Sequence, residues 1–254
     1  MAAGLTSKVV VITGGTSGIG RAVVERVAAD GAAVVLAARR PDVGAQVAAD
    51  VNAKGGRALF VAADVTVEAD AERVVRAAVT EFGRLDGAFN NVGGVHGTGM
   101  LPAVDEAHWR ADLEQNLTSV FYGLKHQIPA IAASGGGGSI VTNASTYGCA
   151  GIPGAAPYVA AKHGVVGLTR AAALENADQG IRVNALVTGN VDTPLFRNLL
   201  GVPLDGPLEA QAPNPSGRAA RPEEIAAFVA FLLSDEAAFI TGAALAIDGG
   251  ATAQ

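Results

Sequence analysis

The sequence predicts an α/β fold, in which a doubly wound, mostly parallel sheet of seven strands carries helices on both faces. Three observations predict it. Short apolar runs rich in β-branched residues alternate along all 254 residues with segments of helical period. These runs lack polar alternation, which is typical of strands buried on both faces. A glycine-rich turn also joins the first strand to the first helix.

The elements follow one another without an internal repeat or linker, so we expect a single domain over residues 1–254. The predicted strands are 8–12, 33–38, 58–62, 87–90, 139–142, 182–187 and 244–247. The predicted helices are 18–29, 42–54, 67–82, 105–132, 157–176 and 222–233. Strands that alternate with helices favour right-handed crossovers in a parallel sheet.

Helix signals support these boundaries. Asp105 can cap the long helix that follows it. Pro222, Glu223 and Glu224 suit a first helical turn, where a missing N–H costs nothing and negative charge suits the dipole. The segment 190–221 instead carries five prolines and several leucines. A long irregular loop in a compact domain is usually functional, so we expect a lid over a substrate site.

Composition excludes several classes of protein. The net charge of −6 is spread over interspersed acids and bases, which disfavours nucleic acid as a partner. The strongly apolar runs fall short of a membrane span of about 20 residues, and we expect neither a membrane association nor a signal peptide. The single Cys149 favours a reducing compartment, and we predict a cytoplasmic protein. The scattered histidines predict no metal site.

The glycine-rich turn predicts a phosphate-binding loop. It runs Thr13-Gly-Gly-Thr-Ser-Gly-Ile-Gly20, after the first strand and into a helix. Glycines let the backbone approach a pyrophosphate, and the helix N-terminus supplies N–H groups. We expect a Rossmann-like dinucleotide site whose loop contacts come from Gly14, Thr16, Ser17, Gly18, Ile19 and Gly20.

The end of the second strand predicts the cofactor. A carboxylate there would hold the ribose 2′-OH of NAD, whereas arginine accommodates the 2′-phosphate of NADP. Here Ala38 is followed by Arg39 and Arg40, without an acid. We therefore expect NADP, with Arg39 as the main contact, Arg40 as a second charge and NAD as the alternative. Two solvated surface arginines are the other interpretation.

Tyr158 and Lys162 are the most informative residue pair. The chain has three Tyr and four Lys, so this spacing is expected by chance only about 0.05 times. Positions i and i+4 share a helix face, and a fixed ammonium lowers the pKa of a nearby Tyr. Tyr158 could then move a proton to or from a substrate oxygen. The alternative is a packed Tyr with a snorkelling Lys.

The ordered set of motifs resembles the short-chain dehydrogenase/reductase family, in its shorter single-domain branch. The motifs are the glycine loop, Asp64-Val65, Asn90-Asn91-Val92-Gly93, Asn116, Ser145, Tyr158-x-x-x-Lys162, Gly189-x-x-x-Thr193 and Asp248-Gly249-Gly250. Three residues depart from the family pattern. Thr188 stands where the family usually has proline, Val92 replaces an alanine, and Ser17 takes a position that is often basic in NADP users.

The resemblance implies roles for these residues. Asn116, Ser145, Tyr158 and Lys162 would be a catalytic tetrad. The cofactor would further contact Asp64, Val65, Asn91, Val92, Gly93, Val191 and Thr193, as well as Tyr158 and Lys162 themselves. We do not expect a serine hydrolase, because Ser145 lacks a G-x-S-x-G elbow.

The function that these residues predict is hydride transfer between a nicotinamide cofactor and a secondary alcohol or ketone. The alternatives are a reductase of another double bond and a non-catalytic NADP-binding sensor or scaffold. The leucine-rich lid favours an apolar or cyclic substrate, and His96 and Met100 are open candidates for contacting it. The resemblance also implies a homotetramer, for which the helix face of Val159, His163, Val166 and Arg170 is available.

Overall fold

A single sheet of seven parallel strands forms the centre of the computed structural model, which describes residues 4–135, 137–206 and 214–253. The strand order is β3-β2-β1-β4-β5-β6-β7. The strands are β1 (Val9–Thr13), β2 (Ala33–Ala38), β3 (Arg57–Ala62), β4 (Gly87–Asn90), β5 (Gly138–Asn143), β6 (Ile181–Thr188) and β7 (Ala244–Ile247). The predicted sheet is confirmed, and each strand end lies within one residue of its predicted place.

Eight α-helices occur in the described part of the chain, and they cover both faces of the sheet. They are α1 (Gly18–Ala29), α2 (Pro41–Ala53), α3 (Glu68–Phe82), α4 (Glu106–Leu113), α5 (Ser119–Ala133), α6 (Ala156–Asn176), α7 (Pro194–Leu200) and α8 (Pro222–Leu233). Helices α1, α2 and α8 pack into the core on one face, and α3, α5 and α6 into the core on the other. The predicted doubly wound, Rossmann-like architecture is confirmed.

The predicted helix 105–132 is interrupted. Asp105 caps its start as expected, because its Oδ1 accepts from the His108 backbone N–H at 2.8 Å. Five residues, Glu114–Thr118, then form a π-helical turn between α4 and α5. A π-turn widens the helix by one residue and is frequent at functional sites. Asn116 lies in this turn, fully buried.

The segment predicted as a lid, 190–221, contains more regular structure than expected in its described residues 190–206 and 214–221. It contains α7, which starts at Pro194 after Thr193, whose Oγ1 accepts from the Phe196 N–H at 3.2 Å. Arg197 ties the next residues down by an ion pair with Asp192 and by bonds to the carbonyls of residues 203 and 206, at 2.6 and 2.8 Å. The predicted lid residues 207–213 lie outside the described part of the chain.

The predicted contact face of α6 needs a correction. Val166 is only 4% exposed and packs in the core under the sheet. The exposed side of α6 is instead formed by His163, Gly167, Arg170 and Leu174. Across the described residues, no helix has both the length and the apolar character needed to cross a bilayer.

Candidate active site

The glycine loop between β1 and α1 has the backbone that a phosphate requires. Gly14 and Gly18 adopt positive φ values of 69° and 50°. A Cβ at Gly20 would lie 2.2 Å from the carbonyl oxygen of Gly14, so only glycine lets the loop fold back on its own helix. The first N–H groups of α1 therefore face the cleft beside the loop.

The cleft runs along the carboxyl ends of the strands and encloses about 550 Å³. Its far end is lined by Arg39, Arg40, Asp64 and Val65. Both arginines are exposed, and Arg40 Nη2 donates to Thr16 Oγ1 at 3.4 Å. Asp64 is fixed by Thr66, whose hydroxyl donates to Asp64 Oδ1 at 2.7 Å. The two arginines thus bring positive charge to the tip of β2, where no carboxylate stands.

A row of side-chain hydrogen bonds crosses four adjacent strand ends. The Thr188 hydroxyl donates to Asn143 Oδ1 at 2.7 Å, and Asn143 Nδ2 donates to Asn91 Oδ1 at 3.0 Å. Asn91 Nδ2 then donates to the Thr13 carbonyl at 3.3 Å. The row joins β6, β5, β4 and β1 beneath the cleft. We call it the strand-end relay.

Helix α6 brings Tyr158 and Lys162 to the same cleft. Lys162 Nζ lies 5.6 Å from the centroid of the Tyr158 ring and donates to the Asn143 carbonyl at 2.8 Å. The side chain of Ser145, which follows β5, lies close enough to the Tyr158 hydroxyl to lower its pKa. Three of the four residues predicted as a tetrad are thus in mutual reach at one end of the cleft.

Burial controls the charges of this pair. Burial raises the pKa of Tyr158. The neighbouring Ser145 side chain partly offsets this rise, and the Tyr147 and Asp112 charges add to it. Burial lowers the pKa of Lys162 to about 8. The predicted lowering of the Tyr158 pKa by Lys162 is therefore not produced by the chain's own residues, because loss of solvent outweighs the ammonium charge.

Asn116 is joined to the site through the backbone of the loop after β4. Its Nδ2 donates to the Gly94 carbonyl at 2.8 Å, and its Oδ1 accepts from the Gly94 N–H at 3.1 Å. A Cβ at Gly93 would lie 2.9 Å from Asn116 Oδ1 and 3.2 Å from Lys162 Nζ. Asn116 and Lys162 thus flank Gly93, and the four predicted tetrad residues surround one end of the cleft.

Not every residue predicted to contact the cofactor lines the cleft. Fifteen do: Gly14, Thr16, Ser17, Gly18, Ile19, Arg39, Arg40, Asp64, Val65, Asn91, Val92, Gly93, Tyr158, Lys162 and Thr193. The other two are Gly20, which lies beneath the loop, and Val191, which is buried and pairs with Ala220. Thr193 packs against the glycine loop, since a Cβ at Gly18 would lie 2.9 Å from Thr193 Cγ2.

The remaining wall of the cleft mixes apolar side chains with the polar Glu114 and Gln115. Val95, Leu195 and Leu199 line it, together with His96, which is hydrogen-bonded to Gln115. The open prediction of a contact at His96 agrees with this position. Met100 is 66% exposed and lies outside the lining.

A buried carboxylate supports the loop after β4. Asp112 is fully buried, and its two oxygens accept from the His96 and Gly97 N–H groups, each at 3.1 Å. Sequence reasoning missed Asp112, Gln115 and Asn143. A signal was available for Asn143 alone, since it stands at a strand end two residues before Ser145. Among the described residues, no cluster of three His, Cys, Asp or Glu side chains could hold a metal.

Comparisons with known proteins identify the family. Residues 14–252 match the family model described as enoyl-(acyl carrier protein) reductase. The chain is 42% identical over 250 residues to an A-factor type gamma-butyrolactone 1′-reductase of Streptomyces virginiae, covering 98% of this chain and 96% of the relative. It is 43% identical over 251 residues to a 2,5-dichloro-2,5-cyclohexadiene-1,4-diol dehydrogenase of Sphingobium indicum, covering 98% of each.

A third relative and two solved structures agree. A cyclohexanol dehydrogenase of Acinetobacter sp. (strain SE19) is 40% identical over 248 residues, with 98% of this chain and 96% of the relative covered. Levodione reductase superposes with a TM-score of 0.91 at 39% identity, covering 98% of each chain. Carveol dehydrogenase from Mycobacterium avium, solved with NAD, gives 0.92 at 29% identity, covering 99% of this chain and 100% of that one.

The fold, the cleft and these likenesses define a nicotinamide-dependent oxidoreductase. The chain belongs to the short-chain dehydrogenase/reductase family, as its motifs indicate. Its activity is hydride transfer between a nicotinamide cofactor and a secondary alcohol or ketone, which confirms the predicted reaction class.

Proposed function

We infer that this enzyme interconverts a ring-containing secondary alcohol and its ketone, with Tyr158 as the proton-transfer residue. One observation carries the proposal. The Tyr158 side chain lies in the cleft beside the Lys162 ammonium, 5.6 Å from the ring centroid, and close enough to the Ser145 hydroxyl for that group to lower its pKa. A carbonyl oxygen placed at this point would meet two hydroxyl groups at once.

The chain's own residues divide the work. In reduction, Tyr158 gives its phenolic proton to the carbonyl oxygen, and Ser145 donates a hydrogen bond that orients the same oxygen. In oxidation, the Tyr158 phenolate takes the hydroxyl proton of the alcohol. Lys162 holds positive charge near the ring and is itself held by the Asn143 carbonyl. Asn116 fixes the loop at Gly94, against which the reacting groups lie.

The cleft fits a dinucleotide. The glycine loop and the start of α1 suit a pyrophosphate, Asp64 suits the adenine end, and Thr193 suits the carboxamide. When bound, the nicotinamide ring would supply or accept the hydride. In its oxidised form it would also add a positive charge near Tyr158, which favours the phenolate that burial disfavours. We take NADP as the preferred cofactor, because Arg39 and Arg40 stand at the tip of β2 without an acid.

The substrate proposal rests on the apolar side chains of the cleft wall. Leu195 and Leu199 line the cleft from α7, and Val95 lines it from the loop after β4. Such a wall favours burial of a hydrocarbon ring over an acyclic polar chain. The ring-containing substrates that the names of the cyclohexanol and cyclohexadiene-diol dehydrogenases give support this choice.

Two further properties belong to the proposal. Exposed large apolar side chains, among them Leu174 at 83%, support assembly into a homotetramer. The single Cys149, which is exposed, suits a reducing compartment such as the cytoplasm.

The test combines a substrate panel with one substitution. We expect the purified enzyme to oxidise cyclohexanol and reduce cyclohexanone with either cofactor, and to leave an enoyl thioester unchanged. Tyr158→Phe should lower kcat by at least about 100-fold, since general acid–base catalysis contributes about 10² to 10⁴. Cofactor affinity, measured by nucleotide fluorescence, should stay within about twofold because only one hydroxyl is removed.

Enoyl thioester reduction without carbonyl reduction would favour the double-bond alternative. Cofactor binding with no turnover of any substrate in the panel would favour a sensor. Activity of Tyr158→Phe above about a tenth of the wild type would remove Tyr158 from its proposed role.

A further inference from the structure

We propose that Thr188 is a positioning residue for Lys162, and that it acts through Asn143 in the strand-end relay. This inference rests on the proposed function, because it concerns the lysine beside the proton-transfer Tyr158. Thr188 does not contact the substrate cleft itself. It is the last residue of β6 and is 7% exposed.

The relay places Thr188 at the start of a directed chain of hydrogen bonds. Each member donates to the next, from the Thr188 hydroxyl to the Asn143 amide, the Asn91 amide and the Thr13 carbonyl. Donors that point the same way strengthen one another in a partly buried site. The chain joins strand ends beyond the last β4–β5 backbone pair, which is Asn90 with Thr142.

Asn143 links the relay to the lysine. Its side chain is fixed on one side by Thr188 and on the other by Asn91, and its backbone carbonyl accepts from Lys162 Nζ at 2.8 Å. Within the described residues, this carbonyl is the one hydrogen-bond acceptor of the Lys162 ammonium, which is 3% exposed. The peptide that carries this carbonyl is also held by β6, since the Ala144 N–H donates to the Leu186 carbonyl at 2.9 Å. The Asn143 side chain adds to this support, and the peptide sets where the positive charge lies beneath Tyr158.

Thr188 also departs from the family pattern, which usually has proline here. Proline fixes φ by its ring but has no hydroxyl to donate. In this chain the stiffness of the β6 turn comes from a side-chain hydrogen bond instead. Without the Thr188 hydroxyl, Asn143 Oδ1 would lose its donor from the end of β6, and the amide would be held only by its bond to Asn91.

The experiment removes the hydroxyl while keeping the shape. Thr188→Val should lower kcat for alcohol oxidation about 3- to 10-fold, which corresponds to the net value of one hydrogen bond. It should also raise the apparent pKa in the pH profile of kcat/KM by about half a unit, because Lys162 supports the phenolate less well. The KM for the cofactor should change less than twofold. Thr188→Ser, which keeps the hydroxyl, should restore both the rate and the pH profile.

Thr169→Val is the matched control. Thr169 is fully buried, its hydroxyl is hydrogen-bonded at 2.7 Å to that of Thr142 beside Asn143, and it belongs to the same helix as Lys162. Its loss should lower the free energy of unfolding without moving the pH profile. A cycle with Asn143→Ala completes the test, since Thr188→Val should add little once the Asn143 side chain is gone.

Each outcome supports or overturns the proposal. A Thr188→Val enzyme with wild-type kcat and pH profile overturns it, as does a Thr188→Ser enzyme as impaired as Thr188→Val. Additive losses with Asn143→Ala also overturn it. An active Tyr158→Phe enzyme would instead refute the proposed function, so the two failures are distinguishable.

Discussion

Lys162 is buried, and burial destabilises the charged form of its ammonium group. Its pKa in the folded chain is about 8, below the ordinary 10.5, so the unfolded chain binds the proton more tightly. The stability of the wild type should therefore rise, relative to Lys162→Met, as pH increases from about 8 to 10.5. The shift sets an upper limit of about 3 kcal/mol on that rise.

Urea unfolding of both proteins without cofactor, at several pH values across this window, measures the difference. Equal pH dependence of the two unfolding free energies would show that Lys162 is not desolvated in the folded chain.

Arg39 and Arg40 give different expectations for cofactor choice. Arg39 is exposed and makes no hydrogen bond within the described residues, whereas Arg40 also braces the glycine loop at Thr16. A charge-assisted bond to Arg39 of about 1.5–3 kcal/mol corresponds to about 10- to 150-fold in affinity, and exposure favours the smaller value. Arg39→Ala should therefore raise the KM for NADPH about 10-fold and barely change that for NADH.

Arg40→Ala is the comparison, and it should weaken both cofactors because the loop itself loses support. Equal losses for both cofactors in Arg39→Ala would mean that Arg39 does not recognise the phosphate. A wild-type preference for NADH would overturn the choice of NADP and leave the role of Tyr158 standing.

Residue-level prediction succeeded where a motif fixes spacing along one element. Tyr158 and Lys162 share a helix face, so their proximity followed from i and i+4 alone. The bond between Thr188 and Asn143 joins two strands, and it depends on register and on rotamers that no local pattern encodes. The buried Asp112 is similar, because its partners are backbone N–H groups of a loop 15 residues away.

At the level of elements, the start of α8 offers a separable test. Glu224 Oε2 accepts from the Arg221 N–H at 2.7 Å, and its carboxylate is paired with Arg218. These bonds lower the pKa of Glu224 to about 2. Glu224→Gln should lower stability at pH 7 by about 1 kcal/mol, the usual value of a helix cap.

The pH dependence has a defined sign. Because the folded pKa of Glu224 lies below the ordinary 4.5, its contribution is present above about pH 4.5 and is lost as pH falls towards 2. Thermal unfolding between pH 2.5 and 7 measures this loss. Glu223→Gln, in the same helical turn, is the control and should behave like the wild type.

The elements also show what patterns leave out. Strand ends were predicted within one residue because β-branched runs end at glycines and polar residues. The π-turn at Glu114–Thr118 was missed, because the apolar spacing continues across it and no residue type in the sequence marks the insertion of one extra residue. Helix α7 did have a sign, because Thr193 followed by Pro194 is a cap followed by a first-turn proline.

For the whole molecule, we predict a homotetramer. Strand β7 is an edge of the sheet, and apolar side chains are exposed near it and at the end of α6, including Phe239 and Leu174. Such apolar side chains suit burial in symmetric interfaces. Light scattering at micromolar concentration should give about four times the 25.3 kDa chain mass. A monomer would contradict the prediction, and Leu174→Glu should shift the wild type towards smaller species.

The close packing of Thr193 on Gly18 has a consequence for the sequence of events in turnover. Helix α7, which supplies Leu195 and Leu199 to the substrate wall, starts immediately after Thr193. The start of α7 thus packs against the glycine loop, which is the loop that would bind a nucleotide phosphate. A nucleotide bound to this loop would stabilise Thr193 and the start of α7, and with them the positions of Leu195 and Leu199. We therefore expect the nucleotide to arrive first and depart last, while the alcohol or ketone enters a pocket whose wall is already supported.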